Sequence, residues 1–169
     1  MEIHPFTPAY LPAAAELFVQ NFRRLRHSLP ALPATLDDEA LISRNLGRLL
    51  DARPGLVALE DGHLVGYLVS MILDDFRRAG RRAAYSPEWG HAVAAPYQAR
   101  AYRMLYRAVA SDWAARGCQV HAITLLADDA AALQTWFWNG FGMLVVDGVR
   151  PMTPLEPEPK TLLRIRQAG

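Results

Sequence analysis

Apolar residues recur every three or four positions in several stretches of the chain, the spacing that gathers them on one face of an α-helix. In the first such stretch the apolar positions include Leu11, Leu17, Phe18 and Leu25. Acidic residues open two of the stretches, where the helix dipole favours them. The pattern predicts four helices, near 9–27, from Asp37 or Asp38 to Leu50, from about Pro96 to Arg116, and over 128–139.

Shorter apolar runs bounded by turn-forming residues predict β-strands. Asp61 and Gly62 separate two of these runs and are the residue types that a type I′ hairpin turn requires. The basic segment 74–87 is predicted to be a loop. The predicted strands lie around 2–6, 55–60, 63–73, 88–94, 120–127, 141–146 and 161–166.

The order of these elements predicts the fold class. In the second half, strands alternate with helices, which indicates parallel pairing through crossover helices. The first half contributes the antiparallel hairpin. We therefore expect a mixed α/β (α+β) protein built around a central sheet.

Composition restricts the possible partners. The 169-residue chain is 51% hydrophobic, and its 18 Lys and Arg against 17 Asp and Glu give a net charge of +1. This length fits one globular domain over residues 1–169. A nearly neutral chain lacks the basic stripe of a nucleic-acid or membrane-surface binder, so we expect neither partner. A small phosphate-bearing ligand needs only a local basic patch and stays possible.

Location and metal binding are predicted from the N-terminal residues, the apolar runs and the possible metal ligands. The N-terminal residues do not have the basic and apolar segments of a secretory signal. The longest apolar run, 64–73, has about half the length of a bilayer span. Cys118 is the single cysteine and can form neither an intramolecular disulfide nor a thiolate cluster. We expect a cytoplasmic protein, and because no histidines and carboxylates have zinc-ligand spacing, no metal.

The junction before the third helix carries a concentration of positive charge. Arg100, Arg103 and Arg107 lie in segment 97–107, which has no acidic residue. A helix N-terminus presents unpaired N–H groups and the positive end of the helix dipole, which suits a pyrophosphate. The alternative is that the three arginines form a solvated helix face.

This junction resembles the phosphate-binding loop of the GCN5-related N-acetyltransferase (GNAT) family, which reads Arg/Gln-x-x-Gly-x-Gly/Ala. The family also has a later Asn-x-x-Ala-x-x-x-Tyr-x-x-x-Gly-Phe run. Here that run starts at Asp129, has Trp136 at the tyrosine position, and keeps Ala132, Gly140 and Phe141. At the loop the chain has Gln98, Ala99, Arg100, Ala101, Tyr102 and Arg103, preceded by Ala92 and Val93.

The resemblance covers most of the chain and implies both a fold and a function. The implied fold is a GNAT-like central mixed sheet of about six to seven strands flanked by about four helices. The implied reaction moves an acetyl group from acetyl-coenzyme A to a small-molecule or peptide amine, and family habit favours a homodimer. The implied cofactor-binding residues are Ala92, Val93, Gln98, Ala99, Arg100, Ala101, Tyr102, Arg103, Asp129 and Trp136.

Three residues depart from the family pattern in ways that bear on activity. Ala101 and Arg103 replace glycines that let the backbone approach phosphate closely. The Arg103 guanidinium either contacts the phosphate itself or blocks the cradle. Trp136 replaces a tyrosine general acid, and an indole cannot deliver a proton at neutral pH. Thiolate protonation would then fall to water or to another group, such as Tyr97, Tyr102 or Tyr106.

Two residues of the predicted strand 88–94 are candidates for the general base. Glu88 and His91 lie three positions apart, on opposite faces of an ideal strand. At most one faces the substrate unless the strand bulges, as the fourth strand does in the family. Their alternatives are an exposed edge carboxylate and a structural histidine. Two non-catalytic functions also stay open, an acyl-coenzyme A-binding regulatory domain and a structural interaction module.

Overall fold

The computed structural model describes residues 1–52, 55–126, 129–148 and 152. All four predicted helices are present in it, and side chains mark their starts. The Asp38 carboxylate accepts the N–H groups of Ala40 and Leu41 at 2.8 and 3.1 Å. The Asp129 carboxylate accepts that of Ala132 at 3.0 Å. The helices are α1 (Leu11–Ser28), α2 (Glu39–Ala52), α3 (Gln98–Ala115) and α4 (Ala130–Trp138).

The described strands form two sheets. One is antiparallel with the order β1-β2-β3-β6, and the other has the order β4-β5-β7, in which β5 and β7 are parallel. The mixed α+β class is therefore confirmed, with the sheet divided in two. The strands are β1 (Glu2–Phe6), β2 (Gly55–Glu60), β3 (His63–Leu68), β4 (Met71–Leu73), β5 (Ala83–Ser86), β6 (His91–Val93) and β7 (Val120–Ile123).

The hairpin between β2 and β3 is confirmed, and its turn has the predicted geometry. Asp61 and Gly62 have φ angles of 50° and 78°, so both occupy the left-handed region that a type I′ turn requires. The strands pair antiparallel on either side of it.

The division into two sheets corrects three sequence predictions. The predicted strand 63–73 breaks between β3 and β4, the predicted loop 74–87 contains β5, and the predicted strand 88–94 is reduced to β6. The cause is a close contact between the two breaks. Ser86 Oγ donates to the Val69 carbonyl at 2.7 Å, and Val69 N–H donates to the Gly90 carbonyl at 2.7 Å. A Cβ on Gly90 would lie 2.6 Å from Ser86 Oγ, so only glycine fits there.

The last two predicted strands, 141–146 and 161–166, have different outcomes. Residues 141–146 form no strand, and that prediction is wrong. Their apolar side chains lie largely exposed, because no described strand pairs with this backbone; exposed among them are Met143, Leu144, Val145 and Val146. The predicted strand 161–166 lies outside the described residues. In the described part of the chain, no helix is both long and apolar enough to cross a membrane.

The sheet separates two apolar cores, because successive strand residues point to opposite faces. Val57 packs towards α1 and α2, whereas its neighbour Ala58 packs towards α3 and α4. We call the first the α1 core; it includes Phe18, Val19, Phe22, Ile42, Leu46, Val57 and Tyr67. We call the second the α3 core; it includes Ala58, Leu68, Val93, Ala101, Tyr102, Leu105, Trp113 and Trp136.

Candidate functional site

The chain passes from one sheet to the other between β5 and β6, and the sheet opens at this point. Ala94 N–H donates to the Val65 carbonyl and Val69 N–H donates to the Gly90 carbonyl, at 2.9 and 2.7 Å. Strand residues alternate, so the backbone groups of the intervening His91 and Val93 point away from β3. No described strand pairs with this side of β6. We call this opening between β6 and the end of β7 the splay.

A cavity of about 290 Å³ occupies the splay. Ala92 belongs to the α1 core and Tyr102 to the α3 core, and both line it. The cavity therefore connects the two faces of the sheet. Its walls combine apolar and charged side chains: Phe18, Asn21, Arg24, Leu25, Glu88, His91, Ala92, Ala95, Gln98, Tyr102, Leu125, Leu126, Asp129 and Ala132.

His91 bridges the splay. The residue is 6% exposed, and its ring nitrogens Nε2 and Nδ1 lie 2.8 Å from the Thr124 carbonyl oxygen and 3.0 Å from the Tyr102 hydroxyl. Burial lowers the pKa of His91 to about 4, although the Thr124 hydrogen bond and the Asp129 charge act in the opposite direction. The ring is therefore neutral near pH 7. Because a carbonyl only accepts, Nε2–H donates to Thr124 and Nδ1 accepts from the Tyr102 hydroxyl.

Tyr102 and Trp136 surround this histidine. Burial raises the pKa of Tyr102, and the negative charge of Asp129 raises it further. The Trp136 ring centroid lies 6.5 Å from that of His91 and 5.4 Å from that of Tyr102. Trp136 is 2% exposed, and its indole N–H has no hydrogen-bond partner within the described residues.

Glu88 reaches the same cavity from a different position than predicted. It lies in the turn between β5 and β6, not in a strand, and is half-buried. The turn is closed by a 2.8 Å hydrogen bond from Gly90 N–H to the Pro87 carbonyl. The expectation that Glu88 and His91 face opposite sides assumed an unbroken strand. The turn brings both residues to the cavity wall.

The two stretches that carry the family resemblance meet beside the cavity. Gln98 begins α3, and its Nε2 donates to Asp129 Oδ2 at 2.5 Å. The other Asp129 oxygen caps α4 through Ala132 N–H. The start of α3 receives no such side-chain cap from Tyr97. α3 continues directly from a 3-10 turn over Ala95–Tyr97. Of the two helix starts beside the cavity, it is the one without a side-chain cap, which suits an anion.

The remaining predicted cofactor residues divide by exposure. Ala99, Arg100 and Arg103 are exposed on α3, and Arg100 lies 3.5 Å from the Glu60 carboxylate. Ala101 is fully buried in the α3 core, so its methyl group packs against protein rather than facing a ligand. Val93 is also buried in this core.

Sequence reasoning missed the contribution of α1. The side chains of Phe18, Asn21, Arg24 and Leu25 line the cavity. Asn21 Nδ2 donates to the Val93 carbonyl at 3.0 Å, and Asn21 Oδ1 accepts from Arg24 Nη2. The available signal was a polar residue, Asn21, inside the apolar stripe of the first helix. Leu125 and Leu126, which follow β7, were also missed.

The described residues contain no group of three or more His, Cys, Asp and Glu side chains that could hold a metal ion. The sequence matches no protein-family model and no curated protein.

Solved structures do match, at low sequence identity. An aminoglycoside acetyltransferase, HMB0005, from an uncultured soil sample is 24% identical with a TM-score of 0.60, covering 90% of this chain and 98% of its own. Another from such a sample, meta-AAC0020 in complex with sisomicin, is 20% identical with a TM-score of 0.56, covering 90% and 96%. A transcriptional regulator from Bacillus halodurans C-125 is 17% identical with a TM-score of 0.62, covering 90% and 99%. The chain therefore has a GNAT fold.

Proposed function

We propose that this protein is an N-acetyltransferase that moves an acetyl group from acetyl-coenzyme A to an amine by direct attack in a ternary complex. The observation that carries the proposal is the cavity through the splay. It is bordered by α3 and α4, whose N-termini are joined by the Gln98–Asp129 hydrogen bond. Such a cavity allows two reactants to meet from opposite faces of one sheet.

The residues present suit coenzyme A. The uncapped first turn of α3 offers N–H groups to a pyrophosphate, and the exposed Arg103 adds a positive charge one turn later. The backbone groups of His91 and Val93 that face the splay are available to an extended amide-bearing chain, except that the Val93 carbonyl already accepts from Asn21. The bound cofactor supplies the activated acetyl group as a thioester.

We assign the general base to Glu88. An incoming ammonium must lose a proton before its nitrogen can attack, and Glu88 is a half-buried carboxylate on the cavity wall. His91 is the weaker candidate because both ring nitrogens are engaged by Thr124 and Tyr102. Its role in the proposal is to hold the two sides of the splay together.

The departing thiolate needs a proton from another source. The Trp136 indole is no acid at neutral pH, and the Tyr102 hydroxyl donates a hydrogen bond to His91. The Tyr106 hydroxyl is hydrogen-bonded to His121, and neither Tyr97 nor Tyr106 lines the cavity. We therefore propose that water protonates the thiolate. Loss of a side-chain general acid costs roughly a hundredfold or more in rate, which leaves a slower enzyme rather than an inactive fold.

Calorimetric titration with acetyl-coenzyme A, followed by thiol release over a panel of amines, tests the proposal. Arg103→Glu should weaken binding at least tenfold by replacing attraction with repulsion of phosphate. Arg107→Glu, one turn further along α3, is the matched control and should have a smaller effect. Absence of both heat and thermal stabilisation at millimolar acetyl-coenzyme A would refute cofactor binding altogether.

A regulatory acyl-coenzyme A-binding domain is the second candidate. Trp136 at the position of the family's general acid favours it, and one of the similar structures is a transcriptional regulator. Tight binding without thiol release over a broad amine panel would support this function over the first.

We propose in addition that the protein forms a homodimer. Exposed apolar residues at the end of α4 and after it, among them Trp138 at 84% and Leu144 at 67%, support a homodimer. We also propose one domain over residues 1–169 and a cytoplasmic location. Sedimentation over a range of protein concentrations tests the dimer.

A further inference from the structure

The cavity in the splay contains a positive charge that the transfer reaction itself does not require. Arg24 lines the cavity from α1, and its Nη2 donates to Asn21 Oδ1. Asn21 is in turn fixed by its 3.0 Å hydrogen bond to the Val93 carbonyl. Within the described residues Arg24 has no carboxylate within ion-pair distance. The edge of β6 therefore orients the Arg24 guanidinium through Asn21, and no ion pair neutralises its positive charge in this part of the structure.

The same cavity is also lined by a negative charge, Glu88, that is likewise not paired with an opposite charge among the described residues. Glu88 forms no ion pair within the described part of the chain. The second carboxylate, Asp129, is already bound by Gln98 Nε2 and Ala132 N–H. His91 is neutral. One guanidinium and one carboxylate are thus left to interact with whatever enters.

The other residues that line the cavity from α1 and from the segment after β7 are mostly apolar. Phe18 and Leu25 line it from α1, and Leu125 and Leu126 line it from the segment after β7. A volume of about 290 Å³ lies at the lower limit of small-molecule pockets. A ligand that matches these walls is small and has two opposite charges and an apolar body.

We propose that the acceptor is a zwitterionic α-amino acid with an apolar side chain, whose carboxylate binds Arg24 and whose ammonium faces Glu88. This inference rests on the proposed acetyltransferase function and names its substrate class. Glu88 takes a proton from the ammonium, and the amine nitrogen forms a bond to the thioester carbonyl carbon. The carbon–sulfur bond then breaks, the nitrogen gives its second proton to water, the coenzyme A thiolate takes a proton from water, and the proton on Glu88 passes to the solvent. The product is the N-acetyl amino acid.

Arg24 is the charge that distinguishes an amino acid from a polycationic acceptor. An aminoglycoside carries several ammonium groups and no carboxylate, so Arg24 would repel it and find no partner on it. A guanidinium pairs with a carboxylate through two parallel hydrogen bonds, which is a geometry that an amine cannot offer.

Three matched acceptors test the proposal: L-phenylalanine, L-phenylalaninamide and phenethylamine, which share the benzyl group and the primary amine and have a carboxylate, a carboxamide or a hydrogen at the α-carbon. With saturating acetyl-coenzyme A, we expect kcat/KM for L-phenylalanine to exceed that for the other two at least tenfold. Arg24→Gln should lower the value for L-phenylalanine at least tenfold, mainly through KM, and change that for phenethylamine less than twofold. Arg24→Lys should restore part of the preference.

Arg23→Gln is the control, because Arg23 is the adjacent exposed arginine of α1 and does not line the cavity. It should leave all three kcat/KM values within twofold of the wild type. Arg24 is itself exposed, so its replacement should leave thermal unfolding nearly unchanged, which the same preparations will show.

The outcomes separate this inference from the function on which it rests. Equal use of the three acceptors would overturn the inference and leave the acetyltransferase function standing. No turnover of any amine over a broad panel would overturn both. A tenfold weaker affinity for coenzyme A in Arg24→Gln would assign Arg24 to the cofactor and overturn the inference, whereas unchanged affinity together with the lost preference supports it.

Discussion

The two faces of the sheet bury cores of different chemistry. In the α1 core the contacts are those of aliphatic and aromatic side chains, as in the stacking of Phe18 and Phe22 with ring centroids 5.9 Å apart. In the α3 core, Tyr102 and Trp136 pack around a buried histidine, and the Trp136 indole N–H lacks a partner within the described residues. Both cores are well buried, but it is the α3 core whose aromatic side chains surround the buried His91 ring.

This difference separates stability from function. A buried polar atom without a partner costs about 1–3 kcal/mol, and within the described residues the Trp136 indole N–H brings this cost to the α3 core. His91 avoids the cost only by bonding at both nitrogens, and those bonds join α3 to the end of β7. We infer that the α1 core stabilises the fold and the α3 core supports the splay. Substitutions and pH should then affect the two cores differently.

The largest effect is expected in the α1 core. Phe22 is 1% exposed, and Phe22→Ala should lower the free energy of unfolding by about 3–5 kcal/mol, because it removes apolar contact and leaves a cavity. Urea unfolding measures this, and the loss should be equal at pH 5 and pH 8 since nothing at this position titrates. A loss below about 1 kcal/mol would mean that the α1 core is not the main source of stability.

A pH-dependent effect is expected in the α3 core. His91 has a pKa of about 4 in the folded protein against 6.5 for a free histidine, so the unfolded chain binds the proton first as pH falls. The stabilisation from neutral His91 is complete above pH 6.5 and is lost as pH falls towards 4. Over this window the loss should approach about 3 kcal/mol, measured by urea unfolding at each pH.

His91→Gln isolates this contribution from other titrating groups. Glutamine can still donate to the Thr124 carbonyl but does not titrate. The variant should be less stable than the wild type at pH 7.5 and should lose less stability on acidification. Parallel pH profiles for the two proteins would contradict the assignment.

The α1 core and its helices are the part that sequence could predict. Phe18 and Phe22 follow a simple helical period, and Asp61-Gly62 encodes its own turn. These are local signals, each set by a few neighbouring residues. Predicting the helices and the turn therefore does not require knowing which residues pack across the sheet.

The splay could not be predicted in this way. It depends on Ser86 and Gly90 meeting Val69, a contact between segments about 20 residues apart that no local period reveals. Asn21 and Arg24 join the site from α1 for the same reason. The strand prediction for 141–146 was wrong for the opposite reason. The local pattern of this apolar run is that of a strand, but a strand also needs a neighbouring strand with which to pair.

Restoring the lost acid should sharpen the functional side of the comparison. Trp136→Tyr places a hydroxyl at the position of the family's general acid, next to His91 and Tyr102. Thiol release should rise roughly tenfold or more if thiolate protonation limits the rate, with no change in affinity for acetyl-coenzyme A. Trp136→Phe is the control, because phenylalanine has the ring of tyrosine without the hydroxyl, and it should give no increase in thiol release. Equal rates for the two variants would show that protonation does not limit turnover.

The smallest effect is expected at the second tryptophan of the same helix. Trp136 and Trp138 are two positions apart, yet they are 2% and 84% exposed, so the sequence WFW contains one core residue and one surface residue. Trp138→Ala should change the free energy of unfolding of the monomer by less than about 0.5 kcal/mol. If Trp138 instead contacts a second copy, the loss should grow with protein concentration, because a dimer stabilises the folded state by mass action. Urea unfolding of wild type and variant at two concentrations a hundredfold apart therefore distinguishes a surface residue of a monomer from a contact residue of the proposed homodimer.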